Sequence, residues 1–101
     1  MSRYQLVISP ATQNDLRNIY QFGLRRWGKL QSVSYLNNLK TRLWTLIQQP
    51  HIGIERPDLQ PGIRSFPTST SHMVFYRIQG QSIQVIRVLH VRQDPYRHIK
   101  E

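Results

Sequence analysis

The chain contains no cysteine, which excludes both a disulfide framework and a cysteine-based zinc site. No apolar run approaches the roughly 20 residues that a membrane-spanning helix needs. The first residues enter a strand-like pattern without the features of a signal peptide, so we expect a cytoplasmic protein with no membrane anchor. With 101 residues the chain is too short for two compact domains, and we predict a single domain over residues 1–101.

Acidic side chains and lysines are both scarce. Lysine and arginine together number 14 against 5 acids, which gives a formal net charge of +9. The only lysines are Lys29, Lys40 and Lys100, so the other eleven cations are arginines, which suit bidentate contacts with carboxylates and phosphates. This excess predicts an acidic partner, either nucleic acid or an acidic protein segment. The alternative is a basic fold whose charge serves only to keep it in solution.

The first half of the chain has the periodicity of two helices. Ser9 is a suitable N-cap, and Pro10 suits the first helical position, where its missing N–H costs nothing. Residues 11–27 then place apolar side chains on one face, and Gly28 is a natural stop. A second stripe of leucines predicts a helix over about residues 30–49. Two helices joined across one glycine predict an antiparallel hairpin.

The remaining segments are predicted to be strands and loops. Alternation over residues 4–8 predicts a short first strand. Residues 50–62 contain proline and glycine too often for regular structure, and residues 95–101 have the composition of a polar tail. A glycine turn joins the last two predicted strands as a hairpin. The later predicted strands are residues 63–66, 73–78 and 83–91.

The order β-α-α-β-β-β predicts an α+β domain in which the helix hairpin packs on one face of a small, largely antiparallel sheet. The continuous β-branched run of the last strand favours a position in the middle of that sheet. Strict alternation places Arg87 on the side of Val85, and His90 on the side of Ile86 and Val88. Both faces then mix apolar and basic residues, so alternation leaves open which face the helices cover.

Basic, histidine and tyrosine side chains concentrate in the strand region. Metal-independent RNA cleavage needs a general base, a general acid and cations, and these side chains can supply all three. The same groups also suit a structural role, in which the histidines bond within the sheet and the arginines pair with Asp58, Asp94 or backbone carbonyls. The concentration consists of Arg64, His72, Tyr76, Arg77, Arg87, His90, Arg92 and Tyr96.

Aromatic side chains flank the two helix stripes. Most residues of this kind fill a core, but they also suit an apolar groove that holds a partner's amphipathic helix, and the arginine surplus favours an acidic partner. Between the helices and the later strands, Asp58 lies in a proline-rich turn, where it can close its own turn or pair with Arg56 or Arg64. The aromatic residues are Tyr20, Trp27, Tyr35 and Trp44.

Neither a metal nor an organic cofactor is expected. The four histidines show no ligand-like spacing, and carboxylates are too few to complete a metal site. The sequence also lacks a glycine-rich phosphate loop and a nucleophile elbow.

Several segments together resemble the ParE branch of the RelE/ParE toxins of bacterial toxin–antitoxin systems. Their joint spacing is more specific than any one of them, and the likeness covers nearly the whole chain. The segments are Trp27-Gly28, Tyr35-Leu36, Pro50 with Ile52-Gly53, Asp58-Leu59, residues 61–67, His72, Phe75-Tyr76-Arg77, residues 87–90, Arg92 and Asp94.

The resemblance implies a helix hairpin on a small antiparallel sheet. It also implies a toxin that poisons DNA gyrase, blocks replication and is neutralised by a ParD-type antitoxin, an acidic chain whose C-terminal segment wraps the toxin. RelE-type relatives instead cut messenger RNA on the ribosome, which is the alternative function. The shortage of lysine departs from the RelE pattern and favours the gyrase branch, in which the protein is not an enzyme.

These interpretations define three sets of candidate residues. Without ribonuclease activity no catalytic residue is expected; with it, the candidates are His90, Arg92, Arg64 and Tyr76. The antitoxin-binding candidates are Tyr20, Trp27, Tyr35, Leu36, Leu39 and Leu43. The target-binding candidates are Arg64, His72, Arg77, Arg87, His90, Arg92, Asp94 and Tyr96.

Overall fold

A helix hairpin lies against a mixed five-stranded sheet in the computed structural model, which describes residues 4–99. Neither long helix, nor any other helix in this range, is both long and apolar enough to cross a membrane. In chain order the elements are β1 (Gln5–Ile8), α1 (Pro10–Trp27), α2 (Lys29–Gln48), β2 (Ile54–Glu55), β3 (Ile63–Pro67), β4 (His72–Gln79), β5 (Ser82–His90) and α3 (Pro95–His98).

The strand order is β1-β5-β4-β3-β2, with β1 parallel to β5 and every other neighbouring pair antiparallel. The predicted α+β class, with a helix hairpin on one face of a largely antiparallel sheet, is confirmed. β5 has partners on both edges, as its β-branched run predicted, although β4 is the strand at the centre.

Two short elements were missed by the sequence prediction. The segment predicted as loop contains β2, which pairs with β3 over only two residues and is too short to produce visible alternation. The predicted polar tail instead begins with α3, and Ile99 after it is buried at 7% exposure. The tail prediction is therefore wrong over residues 95–99, because one apolar residue anchors the segment; residues 100 and 101 lie outside the described range.

The helix hairpin forms as its boundary residues predicted. The Oγ of Ser9 accepts a hydrogen bond of 3.0 Å from the Thr12 N–H, which caps α1. At the other end Gly28 has φ of +87°, a conformation that side-chain-bearing residues rarely adopt, and it alone joins the two helices. The helices then approach closely, since a Cβ on Gly23 would lie 2.8 Å from the Oγ of Ser32.

The main core lies between α2 and the sheet. Leu39, Leu43 and Leu46 have exposures of 1%, 2% and 0%, and burying such a side chain stabilises the fold by about 1.5–3 kcal/mol. A second cluster fills the opposite face of the sheet around Phe75 and Leu89. The residues of the main core are Leu39, Leu43, Leu46, Phe66, Val74, Tyr76, Ile83, Val85 and Val88.

A β-bulge in β5 decides which face the helices cover. Phe75 pairs with Arg87, but the next residue of β4 pairs with Val85, so Ile86 is the extra residue. Val85 and Val88 consequently both join the main core under the helices, while Ile86 packs with the second cluster. Strict alternation grouped Arg87 with Val85, and His90 and Val88 with Ile86; both groupings are wrong because the bulge shifts the pattern by one residue.

Ser9 and polar residues of α1 bond the edge of β5 at and beyond the point where its pairing with β1 ends. The Ser9 N–H donates to the Val85 carbonyl at 3.1 Å, and the Thr12 Oγ1 donates to the same carbonyl at 3.1 Å. One turn further, an Asp15 carboxylate oxygen accepts the Val88 N–H at 3.0 Å. The first two turns of α1 thus replace the strand that β5 lacks on this edge.

Asp15 also forms a buried ion pair with Arg87. Its two carboxylate oxygens accept the Arg87 Nε–H at 2.8 Å and Nη2–H at 2.7 Å, and Asp15 is only 8% exposed. The hydrogen bonds from this carboxylate raise the pKa of the Arg87 guanidinium. The remaining Nη1 donates to the carbonyl of His98 at 3.2 Å. Sequence reasoning proposed other acidic partners for the arginines and missed Asp15.

We predict that Asp15→Ala destabilises the protein by about 3–5 kcal/mol, because it leaves the Arg87 charge and the Val88 N–H without their acceptor. Urea unfolding followed by circular dichroism measures the loss. Asp58→Ala, which breaks a solvent-exposed ion pair, is the matched control and should move the midpoint little. An Asp15→Ala midpoint equal to that of the control would contradict the assigned role of Asp15.

Candidate functional site

A groove of about 650 Å³ lies between the helix hairpin and the end of the sheet where β4 begins and β5 ends. Its lining mixes aromatic rings, imidazoles and guanidinium groups, and it contains no aspartate or glutamate. The lining residues are Asn18, Ile19, Phe22, Arg26, Trp27, Tyr35, Thr70, Ser71, His72, His90, Val91 and Arg92.

Five rings form a continuous series along this groove. The centroid of Phe22 lies 6.2 Å from that of Trp27, which lies 6.3 Å from Tyr35. Tyr35 in turn lies 5.6 Å from His72, and His72 lies 5.3 Å from His90, its cross-strand partner. The series begins on exposed aromatics, with Phe22 at 51% and Trp27 at 49% exposure, and ends on two half-buried imidazoles. It joins the predicted aromatic set to the predicted histidine cluster.

The hydroxyl of Tyr35 fixes the protonation of His72. The Ser69 Oγ accepts the backbone N–H groups of Ser71 and His72, so its own proton is directed to the Tyr35 oxygen, 2.7 Å away. Tyr35 therefore donates to the Nδ1 of His72 at 2.5 Å. An imidazole that accepts at Nδ1 carries its proton on Nε2.

Burial keeps His72 neutral. Desolvation lowers the pKa of this imidazole to about 4, with a further lowering from the nearby His90 and a smaller opposing effect from Asp15. The ordinary value for histidine is about 6.5, so His72 is uncharged at neutral pH.

His90 is held by the turn that follows β5. Its backbone N–H donates to the Oε1 of Gln93 at 2.8 Å, and its Nδ1 accepts the backbone N–H of Arg92 at 3.1 Å. The imidazole is thus oriented by its own chain, and it presents Nε2 away from the turn. Of the target-binding candidates, His72, His90 and Arg92 are the ones that the structure brings together in the groove.

Arg64 and Tyr76 do not line the groove and form hydrogen bonds with the loop before β2. Tyr76 has no exposed surface; its Oη donates to the Pro50 carbonyl at 2.6 Å and accepts the Gly53 N–H at 2.9 Å. Burial raises the pKa of this phenol. Arg64 Nη1 donates to the carbonyls of Gly53 at 2.8 Å and His51 at 3.3 Å. Both side chains are therefore engaged in holding the loop.

Asp58 organises a second polar cluster, on the loop between β2 and β3. Arg56 binds its carboxylate through Nε at 3.1 Å and Nη2 at 3.0 Å, and the Tyr96 hydroxyl donates to it at 2.6 Å. These hydrogen bonds, from Arg56 first and then Tyr96, lower the pKa of Asp58 to about 2. Pairing with Arg56 was one of the predicted alternatives. Tyr96, a target-binding candidate, thus lies with Asp58 and is not among the groove residues.

The remaining target-binding candidates have structural partners. Arg77 donates to the Oε1 of Gln60 at 2.8 Å, and Asp94 caps α3 by accepting the Tyr96 N–H at 3.0 Å. Arg87 is committed to the buried ion pair with Asp15. The eight candidates therefore divide between the groove, the ion pair and the loops around β2, β3 and α3.

The antitoxin-binding candidates also divide. Leu39 and Leu43 are core residues at 1% and 2% exposure and have almost no surface to offer a partner. Tyr20 and Leu36 are half-buried, and only Trp27 and Tyr35 line the groove. Leu39 and Leu43 thus belong to the main core and do not line the groove.

The groove residues that sequence reasoning missed include Asn18, Phe22 and Arg26 of α1. They are four residues apart, a spacing that places side chains on one helix face. This spacing, which ends next to Trp27, could have identified the three residues from the sequence. Among residues 4–99, no three histidine, aspartate or glutamate side chains are grouped so that they could hold a metal ion.

Comparisons with known proteins identify relatives of the whole chain. A family described as "ParE toxin of type II toxin-antitoxin system, parDE" matches residues 6–95. The chain is 37% identical over 99 residues to Toxin ParE1 of Mycobacterium tuberculosis, which covers 97% of this chain and 98% of that protein. It is 32% identical over 99 residues to Toxin ParE1 of Caulobacter vibrioides, with 98% and 99% covered.

A solved structure described as "Chromosomal ParDE TA system from P. aeruginosa" has the same fold. It superposes with a TM-score of 0.79 over 89% of this chain and 98% of that one, at 22% identity.

We predict that stability falls as the pH is lowered from about 6.5 to about 4. The folded state keeps His72 unprotonated in this window, while the unfolded chain takes up a proton. His72→Gln should flatten the dependence, and His51→Gln, at an exposed site outside the groove, should keep it. Urea midpoints at about pH 7 and about pH 4.5 give the slopes. Equal slopes for both variants would contradict the origin assigned to the dependence.

Proposed function

The chain belongs to the ParE toxins of type II ParDE toxin–antitoxin systems, and from this membership we propose that it inhibits DNA gyrase and blocks DNA replication. The observation that carries the proposal is the match to a ParE toxin over 97% of the chain, with 37% identity over 99 residues. A toxin that acts on gyrase works in the cytoplasm, where the enzyme and its DNA are.

The distribution of the polar side chains supports binding as the mode of action. The four residues proposed for RNA cleavage do not share one site: Tyr76 is buried, and Arg64 is bonded to two loop carbonyls. His90 pairs with His72, while Arg64 pairs with Tyr76 four residues further along β4, a separation of about 13 Å along the strand. An inhibitor that acts by occupying a surface needs no such assembly.

The charge of the toxin supports a target that carries DNA. A net charge of +9 on a small domain creates a positive field that attracts polyanions. A gyrase complex that holds cleaved DNA presents both a protein surface and phosphate groups. We propose that gyrase contacts His72, His90 and Arg92, which line the groove. Arg77 and Tyr96, which do not line it, remain secondary candidates.

The partner of the toxin is a ParD-type antitoxin, and we propose that an acidic, amphipathic segment of its C-terminal part occupies the groove. The groove offers exposed Phe22 and Trp27 to apolar side chains and carries Arg26 and Arg92 but no acid. A shallower depression of about 390 Å³ continues it past Tyr35 along α2. Together these surfaces suit a segment that wraps the hairpin.

We predict that the purified protein inhibits supercoiling by gyrase and traps its cleavage complex, which appears as linear DNA after denaturation and proteolysis. The measurement is a gel assay on relaxed plasmid. An RNA-cleavage assay on translating ribosomes with the same preparation provides the comparison. Normal supercoiling without linear DNA, together with cleaved transcripts, would replace this proposal by the ribonuclease alternative.

We predict that Trp27→Ala weakens the antitoxin complex by about 2–4 kcal/mol, because central interface aromatics carry most of the binding energy. Isothermal titration calorimetry with the full-length ParD-type antitoxin measures the change. Trp44→Ala is the matched control, since Trp44 is 60% exposed and does not line the groove. Equal affinities for both variants would contradict the groove as the antitoxin site.

A further inference from the structure

The two imidazoles at the floor of the groove are held in the same tautomer by different parts of the chain. The Nδ1 of His72 accepts a hydrogen bond from the Tyr35 hydroxyl, and the Nδ1 of His90 accepts one from the backbone of Arg92. With each Nδ1 acting as an acceptor, each neutral ring carries its proton on Nε2.

Both Nε2–H groups are open. The described residues supply no hydrogen-bond partner to the Nε2 of His72 or His90, and no buried side-chain nitrogen or oxygen in this range lacks a partner. The two Nε2 atoms are therefore accessible to solvent. Since the ring centroids are 5.3 Å apart, the structure presents two neighbouring donors that no protein acceptor in residues 4–99 uses.

The charges around the pair favour an anion. Arg26 from α1 and Arg92 after β5 line the same groove. The acid nearest the pair is Asp15, and both of its carboxylate oxygens are occupied by Arg87 and the Val88 N–H. Tyr35, which faces His72 from α2, directs its hydroxyl proton to that ring. The residues that line the groove thus include two guanidinium groups and no carboxylate.

We propose that the Nε2–H groups of His72 and His90, with Arg92 beside them, form a carboxylate-binding site for one acidic side chain of the antitoxin. This inference rests on the proposed antitoxin complex and adds the chemistry of one contact within it. Two neutral donors suit the two oxygens of a carboxylate, and a nearby guanidinium supplies the charge. The site needs no protonation of either histidine to bind.

The surroundings select a protein carboxylate in preference to a phosphate of nucleic acid. Phe22, Trp27, Ile19 and Val91 line the same groove as the imidazoles. An amphipathic segment matches this surface, because it places apolar side chains next to a single acid. A nucleic acid backbone would bring a series of phosphates, for which the groove provides two guanidinium groups, those of Arg26 and Arg92.

The first test is nuclear magnetic resonance of the free toxin, which does not depend on the antitoxin. Long-range proton–nitrogen spectra at about pH 7 should show both rings as neutral Nε2–H tautomers. Sodium acetate should shift the Nε2 signals of His72 and His90 more than those of His51 and His98, with sodium chloride as the control for ionic strength. An Nδ1–H tautomer in either ring, or a larger response to a single-stranded oligonucleotide than to acetate, would overturn the proposal.

The second test uses substitutions of His90 that distinguish the effect of its Nε2–H donor from the effect of its ring. His90→Phe keeps the ring and removes the donor, and we expect it to weaken antitoxin binding about 10-fold or more. His90→Gln places an amide N–H near the position of Nε2, and we expect affinity within about 3-fold of the unmodified toxin. His51→Phe, outside the groove, should have no effect. Equal affinities for His90→Phe and His90→Gln would overturn the proposal.

Calorimetry of the same complex tests whether an imidazole takes up a proton when the antitoxin binds. A neutral site predicts the same binding enthalpy in phosphate and Tris buffers at about pH 7.5, because no proton is taken up. A difference equal to the buffers' ionisation enthalpies would show an imidazolium and overturn the neutral assignment. If the unmodified toxin binds no antitoxin, the proposed partner fails; if it binds and the His90 variants behave alike, only the carboxylate site fails.

Discussion

The fold depends on the way α1 completes the exposed edge of β5. β1 pairs only with the first half of that strand, and the polar residues of the helix satisfy the backbone beyond it, ending at the Asp15 carboxylate. The bulge at Ile86 lies at this junction and turns both Val85 and Val88 towards the leucines of α2. Because α1 is held here, its later turns are positioned beside the end of the sheet. The groove is the space left between them.

Local signals were sufficient for the helices and the fold class. Ser9, Pro10 and Gly28 marked the limits of α1, and the hairpin results from a one-residue connection. The bulge could not be predicted, because nothing in the sequence of β5 marks Ile86 as the extra residue. The partner of Arg87 was missed for a related reason: Asp15 lies 72 residues away and becomes adjacent only when α1 docks.

The composition of the groove was predictable in part. The sequence identified Trp27, Tyr35, His72, His90 and Arg92 as candidates, but it assigned the aromatics and the histidines to separate functions. The structure places them in one series of rings, because Tyr35 from α2 reaches the first residue of β4. Residue types alone also could not show which basic groups were already engaged. Arg64 and Arg87 belong to the same cluster in sequence terms, yet each is bound to acceptors within the protein.

The single-residue connection between the helices makes the position of the Trp27 indole sensitive to the length of α1. Trp27 and Lys29 are connected by a single glycine with φ of +87°, so the connection cannot absorb a change in the length of α1. Each residue inserted within the last turn of α1 would rotate the indole about the helix axis by about 100° and advance it by about 1.5 Å. A one-residue insertion would thus move the Trp27 indole out of the groove. Substitutions of groove-lining residues, in contrast, change the chemistry of the groove and keep its shape.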